Sequence, residues 1–494
     1  MAEWRRMLPA YHRRVLLHFS LALLSSVLLA LTFPRFALFF LAPIALAPLL
    51  FALARTHDAW QRAIYGWAAG ILYWALLCHW IHFVLQVYGG MGVWGGWGCF
   101  VLFALYKGLH LAFFSWLAGP LMSRAYAIPA IAALWTGLER THESFGFAWL
   151  DLGNAGISMS LPVRLAPYIG VYGISFVFAM VGAAVACVLL RRPRTWLLPL
   201  IVLVGLWALP PIPENMPATR TAVVVQPDVP TDAEWTDLLQ ERTEQHMVLL
   251  SEAIPGPLVI WPEMPAPLYY FDDPTFHNMA DQVAIDHGYL LFETVSYTAK
   301  NQPLNSAVLL GPKGQEIGKY DKIHLVPFGE YVPRFFSFVN RITKEAGDFV
   351  PGKEVKVLSA GKDKLGVFIC YESAFPDLVR QFTKKGAGVL VNLSNDGYFG
   401  HTDAHRQHLL IARMRAVENR RFLIRATNDG ITAVIDPGGT VVKALRPYQE
   451  LAAPVHYGVV HQTTFYARHG DWFAWGCLIV GVGLGLWNLR RKAE

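Results

Sequence analysis

The sequence predicts a multi-span α-helical membrane domain joined to a globular α/β domain, and three observations carry that prediction. The 494-residue chain is 54% apolar and only 16% charged, with a mean hydropathy of +0.34, whereas average usage is roughly 45–50% apolar and about 25% charged. Its longest apolar stretches cluster at the two ends. Between them, short β-branched runs alternate with polar, helix-like stretches. The 17 Trp, 19 Tyr and 30 Phe exclude disorder. A net charge of +6 gives no support to nucleic-acid binding, since basic excess in a membrane protein belongs at lipid headgroups.

Apolar stretches occupy residues 15–32, 36–54, 63–88, 93–118, 125–138, 165–190 and 196–209, and one more lies at 472–489. A bilayer crossing needs about 20 mainly apolar residues. About eight transmembrane helices are therefore expected, those at 125–138 and 196–209 being short. With the N-terminus inside, thirteen basic residues fall in cytoplasmic segments, among them Arg13, Arg14, Arg191, Arg192, Arg194 and Arg490, against Arg35, Arg140 and Arg164 opposite. The positive-inside rule expects that asymmetry. The first stretch ends in LTFPRF, without a small-x-small cleavage pattern, so it reads as an uncleaved helix rather than a signal peptide.

The expected division is a seven-helix membrane domain at 1–211, an α/β domain at 212–471, and a last span with its tail at 472–494. Pro210, Pro211, Pro213 and Pro217 mark the first boundary. The span count puts the α/β domain outside the cytoplasm. Within it, TAVVVQ, PLVIWPE, YLLFETVSY, NSAVLLG, KLGVFICYES, GVLVNLSN, RFLIRATN and ITAVIDP read as strands. Amphipathic helices are expected around 232–253, 274–287 and 405–418.

Four of the five cysteines, Cys78, Cys99, Cys187 and Cys477, fall in predicted spans, leaving Cys370 alone in the outer domain. An unpaired thiol in an oxidising compartment has no bridge to make there, which makes it a candidate nucleophile. Cys370 ends the apolar run LGVFIC, a strand end where loops can build a site. LVIWPE ends in Glu263, and GKYDKIHLVPFGEYVP supplies Lys322 and Glu330. A thiol with a pKa near about 8.5 is only a few per cent ionised at neutral pH, so it needs a base or a neighbouring cation. Glu263 fits the base and Lys322 the cation.

Those residues, in WPE, YDK and ICYE, resemble the Glu-Lys-Cys triad of the nitrilase (carbon–nitrogen hydrolase) superfamily. The longer strings LVPFGEYVP, VFICYE and NLSNDGYFG, inside a domain flanked by seven spans and one, resemble the apolipoprotein N-acyltransferase family over essentially the whole chain. The resemblance implies a nitrilase-like αββα sandwich and a ping-pong reaction without metal or other cofactor. Cys370 would take the sn-1 acyl chain of a phospholipid as a thioester. The α-amine of a diacylated apolipoprotein would then accept it, Glu263 moving the protons. Lys322 and the backbone N–H of Tyr371 would hold the oxyanion, with Glu330 and Glu372 as supporting active-site carboxylates. Neighbouring carboxylates raise one another's pKa, which suits proton shuttling. Tyr398 stands where the family commonly has Trp, and Met264 and Pro265 where small residues are frequent.

Substrate contacts are expected from Phe335 and Phe336 in the apolar stretch 334–350, from Trp235 and Tyr398, and from Asn305, with Asn392 and Asn395 as further polar candidates. The aromatic loop 88–97 is a candidate opposing wall, and Lys107, with His110 one turn away, a candidate headgroup contact. His401, His405 and His408 approach the spacing of metal ligands, yet no HExxH-type pattern appears and the triad requires no metal. The expected partners are phospholipid and diacylated lipoprotein, not nucleic acid, and the expected state is a monomer in a bacterial inner membrane. The alternatives are a membrane-tethered amidase, in which water resolves the thioester, and a transporter or receptor whose outer domain only binds ligand.

Overall fold

Apolar runs without internal breaks fold as long helices in the computed structural model, which describes residues 2–144, 146–213, 216–264, 268–327, 329–331 and 349–491. The chain divides into two units. Met1–His79, Trp97–Pro211 and Asp471–Glu494 form the first, and Trp80–Gly96 with Ile212–Gly470 the second.

The first unit is built from α1 (Ala2–Leu31), α2 (Ala47–Arg55), α3 (Ala59–Leu77), most of α5 (Gly92–Leu121), α6 (Ala127–Ser144), α7 (Ala166–Leu189) and the C-terminal helix Trp472–Arg490; α4 (Trp80–Val87) lies in the second. Small residues let these helices approach. A Cβ on Gly70 would stand 2.8 Å from the Gly108 backbone, the close packing that membrane helices favour. Hydroxyls bridge them too: Ser25 Oγ accepts the Leu49 N–H at 2.8 Å and Ser26 Oγ donates to the Ala69 carbonyl at 2.5 Å.

Four described helical segments are long and apolar enough to cross a membrane, Tyr11–Leu31, Gly92–Leu121, Pro162–Leu189 and Trp472–Arg490; α3 with α4 makes a fifth if taken as one broken span. The stretch 36–54 folds as a short turn of helix at Phe39–Leu41 followed by α2, and nine residues at about 1.5 Å each cannot cross about 30 Å of hydrocarbon. At 196–209 the chain winds as a tight 15-residue helix, Arg194–Ala208, with Pro199 inside. Lys107, a candidate headgroup contact by sequence, is turned inward instead: it is fully buried, and its ammonium donates to His142 Nδ1 at 2.9 Å and the Phe147 carbonyl at 3.0 Å.

The second unit is an αββα sandwich. One six-stranded sheet has the order β12-β1-β2-β3-β4-β5 and the other β11-β10-β9-β8-β7-β6. The first comprises β1 (Arg220–Gln226), β2 (Val259–Ile260), β3 (Leu290–Tyr297), β4 (Pro303–Leu310), β5 (Glu316–Asp321) and β12 (Leu451–Tyr457). The second comprises β6 (Leu358–Ala360), β7 (Asp363–Ile369), β8 (Val389–Ser394), β9 (Leu423–Thr427), β10 (Ala433–Ile435) and β11 (Val441–Ala444). The sheets face each other through β1 and β9, β4 and β7, and β10 and β12. Helices α8 (Asp237–Glu252) and α9 (Pro274–His287) cover the first sheet, and α10 (Pro376–Lys384) and α11 (Ala404–Asn419) the second, with α12 (Phe465–His469) against α10 and α11.

Period-two alternation sorts the side chains. Val223, Val225, Val259, Trp261, Leu290, Phe292, Val308 and Leu310 form one buried cluster with Met247 of α8 and Phe276 of α9, while Ala222 and Val224 point the other way, as alternate residues of a strand must. Trp261 is anchored by its indole N–H, 2.9 Å from Ser251 Oγ. Central strands β1-β2-β3 and β7-β8-β9 run parallel, so the C-terminal ends of β2, β7 and β8 deliver Glu263, Cys370 and Asn395.

Candidate active site

Glu263 follows β2 by three residues and is buried. Its Oε2 accepts the Asn395 backbone N–H at 3.0 Å; its Oε1 accepts from Lys322 Nζ and from Asn305 Nδ2, each at 3.2 Å. Lys322 comes directly after β5, so the end of an edge strand carries it into the interior, where 1% of it is exposed. Its Nζ lies 2.8 Å from Glu330 Oε1. Burial works against the ammonium, but Glu263 and Glu330 outweigh it and hold its pKa well above the usual lysine range. Asn305 on β4 also donates to Glu330 at 2.8 Å, and Glu330 Oε2 accepts the Val326 N–H at 2.7 Å. Glu263, Lys322, Asn305 and Glu330 are thus one hydrogen-bonded cluster.

Cys370 stands at the end of β7 with φ at +49°. A non-glycine residue in this left-handed region costs roughly 1–3 kcal/mol and persists only where its surroundings fix it. Burial first, then the charge of Glu263, pushes the thiol above its usual range, and Lys322 opposes them. The thiol therefore stays protonated at rest, since the Lys322 ammonium is already shared between two carboxylates.

Glu372, two residues on, is fully buried and does not hydrogen-bond Lys322. Its Oε1 accepts from the Tyr320 hydroxyl and the Ile323 N–H, both at 2.7 Å, and from the His324 N–H at 3.1 Å; its Oε2 accepts the Ile369 N–H at 2.8 Å. It braces the chain on either side of Lys322 to the strand that ends at Cys370. Burial pushes its carboxyl up to about 7, against the pull of its donors and of Lys322. Tyr371 is buried with its ring edge-on to Phe375 at 5.0 Å.

Tyr398 is 38% exposed, edge-on to Tyr88 at 5.0 Å, and Tyr88 donates to the Gly397 carbonyl at 3.3 Å. Residues 80–96, spans and loop by sequence, thus pack on the turn that follows β8. Trp235 lies half-buried in the loop leading to α8 and is not part of the hydrogen-bonded cluster. Phe335 and Phe336 lie outside the described residues. Asn392 donates to the carbonyls of Phe368 and Cys370 at 3.3 and 3.4 Å, and Asn395 Oδ1 accepts the Gly397 N–H at 3.1 Å. Of the three histidines with ligand-like spacing, His401 lies against the Tyr448 ring at 4.5 Å and His408 is committed to Asp396 and to the backbone of Cys370. Among the described residues no group of three His, Cys, Asp or Glu is placed to hold a metal ion.

Glu293 is the group that sequence reading passed over. It is the charged residue of the strand LLFETVSY, and its Oε2 accepts the Met264 N–H at 3.3 Å, beside Glu263. Burial and the charge of Glu263 push its carboxyl up to about 8.

The αββα unit is a carbon–nitrogen-hydrolase domain: a model of that family matches residues 224–456, and a model of the apolipoprotein N-acyltransferase N-terminal domain matches residues 25–184. An apolipoprotein N-acyltransferase of Geobacter metallireducens is 34% identical over 96% of this chain and 95% of its own. One from Methylococcus capsulatus is 32% identical over 96% and 97%. Nit3 of Saccharomyces cerevisiae, a nitrilase-superfamily structure, superposes on 48% of this chain and 90% of its own at 19% identity, with a TM-score of 0.39. The chain belongs to the apolipoprotein N-acyltransferase family.

Proposed function

We propose that the protein moves the sn-1 acyl chain of a phospholipid onto the α-amine of the N-terminal diacylglyceryl-cysteine of a lipoprotein, with Cys370 as carrier. The observation that carries the reading is the pairing of Lys322 with Glu263 at 3.2 Å and Glu330 at 2.8 Å, with the buried Cys370 thiol within electrostatic reach of Glu263 and Lys322. Glu263 takes the thiol proton as Cys370 Sγ bonds to the ester carbonyl carbon. The ester C–O bond breaks and the same proton leaves on the lysophospholipid oxygen. In the second half, Glu263 takes a proton from the acceptor amine as its nitrogen attacks the thioester, the C–S bond breaks, and the sulfur recovers its proton. Each half passes through an oxyanion held by Lys322 and the Tyr371 N–H; losing one such donor typically costs about 10² to 10³ in rate.

Trp235 and Tyr398 are proposed to line the acyl path, with Phe335 and Phe336 assigned there from sequence. The polar contact to the substrates is proposed for Asn305. Similarity that runs the full length of the relatives, beyond the hydrolase part, supports an amine acceptor over water. We also propose that the chain works as a monomer, crosses the inner membrane about eight times, and holds its α/β unit in the periplasm, as the basic residues of its short loops support.

Purified protein incubated with phospholipid alone tests the reading. Mass spectrometry is expected to find one acyl chain on the Cys370 peptide. Unmodified Cys370 while lysophospholipid accumulates contradicts it.

A further inference from the structure

We infer that His408 is a positioning residue for the nucleophile, fixing the Cys370 carbonyl and with it the left-handed turn that aims the sulfur; this rests on the reading of Cys370 as acyl carrier. His408 on α11 is fully buried. Its Nε2 lies 3.1 Å from the Cys370 carbonyl oxygen and 2.7 Å from Ser373 Oγ. On the other side of the ring, Nδ1 is 2.9 Å from Arg425 Nη2 and 3.0 Å from Asp396 Oδ1.

The Cys370 carbonyl places a proton on Nε2. A guanidinium only donates and a carbonyl only accepts. Nε2–H therefore donates to the Cys370 carbonyl, while Nδ1 faces both the Asp396 carboxylate and the Arg425 guanidinium. Burial and the Arg425 charge lower the pKa of the imidazole, against the pull of Asp396. Arg425 is itself fixed by Asp396, donating to Oδ2 at 2.6 Å and Oδ1 at 2.7 Å, and it also donates to Asn392 Oδ1. Asn392 in turn reaches the carbonyls on either side of the turn, Phe368 and Cys370.

Ser373, His408 and Asp396 have the connectivity of a serine-hydrolase triad, yet they do other work. Ser373 and His408 have no exposed surface and Asp396 has 2%, so no substrate reaches the hydroxyl. The Nε2 proton is shared with a backbone carbonyl rather than kept for a leaving group. What the arrangement does is oppose the strain at Cys370, whose φ of +49° needs an external hold.

Two amide substitutions of similar polarity separate positioning from bulk structure. His408→Gln can present an N–H near the Nε2 position; His408→Asn presents one near Nδ1, short of the carbonyl. With phospholipid and a diacylated lipopeptide, His408→Gln is expected to keep kcat within fivefold of wild type. His408→Asn is expected to lose 30-fold or more in kcat, with KM within threefold. Equal rates in the two variants, a change in KM rather than kcat, or acyl on Ser373 overturns the inference. Should His408→Asn not fold, His408→Gln decides alone: within fivefold supports the assignment, and a loss beyond 30-fold refutes it. Cys370→Ala is the separate control. Full transfer by that variant removes the carrier reading, whereas an inactive Cys370→Ala beside equal His408 variants removes only the positioning role.

Discussion

Lys322 Nζ lies 2.8 Å from Glu330 Oε1 but 3.2 Å from Glu263 Oε1, so the ammonium is held more closely by the carboxylate that is not the proposed base. That asymmetry divides the labour. Glu330 holds Lys322 in place by the shorter contact, and the charges of Glu263 and Glu330 together keep it protonated. Glu330→Gln removes one of the two opposing charges and turns the ammonium wholly toward Glu263, tying up the base. We expect kcat to fall about 10² in both half-reactions with KM little changed, in line with the loss of acid–base function. Single-turnover rates of Cys370 acylation and of aminolysis check this; rates within threefold of wild type would remove Glu330 from the machinery.

Glu372 holds three backbone N–H groups and one hydroxyl, tying the Ile323–His324 segment to the end of β7. Glu372→Ala leaves these donors buried without their acceptor. A buried unsatisfied donor costs about 1–3 kcal/mol, so several kcal/mol of stability should be lost and Lys322 released from register with Cys370. Glu372→Gln keeps one acceptor oxygen and should cost less. Melting temperatures of the purified proteins in detergent check the ranking, which fails if alanine is no worse than glutamine.

The central strands were legible because both faces of each are covered. TAVVVQ, LGVFIC and GVLVNLS are continuous apolar runs, as buried parallel strands must be. All four strands absent from the sequence reading, β5, β6, β11 and β12, are sheet edges. Half of an edge faces solvent: β11 alternates between partly buried and exposed, and β12 carries Pro454, which an edge tolerates. The site followed the same rule. Glu263 and Cys370 stand at the ends of central strands and could be found from the apolar runs that precede them, whereas Lys322 follows an edge and was singled out only as the cation a thiol needs. Spacing drew attention to His408, but no periodicity reports that its partners are Asp396, Arg425 and a backbone carbonyl from other elements. The left-handed turn at Cys370 is equally silent, because cysteine carries no preference for it.

Tyr88 joins α4 to the turn bearing Tyr398. Tyr88→Phe forfeits the hydrogen bond to the Gly397 carbonyl but keeps the ring contact, and a single such bond is worth about 1 kcal/mol. Tyr88→Ala removes both. If Tyr398 lines the acyl path, Tyr88→Ala should lower kcat/KM for phospholipid about tenfold and Tyr88→Phe less than threefold, while aminolysis of a preformed acyl-enzyme changes little. Equal losses in both half-reactions would place Tyr88 outside donor recognition.

Glu293 supplies the pH dependence. Its folded carboxyl is held up to about 8, by burial and by Glu263, from an ordinary 4.5. The folded protein thus binds a proton that the unfolded chain has released between those values. Its contribution to stability is complete below about 4.5 and is lost as pH rises through about 8. Activity should move the same way at the upper end, because ionised Glu293 adds a second negative charge beside Glu263 and makes deprotonation of Cys370 harder. Wild type should therefore lose acylation rate as pH passes 8, and Glu293→Gln, which keeps an acceptor for the Met264 N–H but cannot ionise, should lack that decline and show a flatter melting temperature across pH 5–8. Parallel profiles for the two proteins would mean that Glu293 is already ionised at neutral pH and that Lys322 faces three carboxylates at rest.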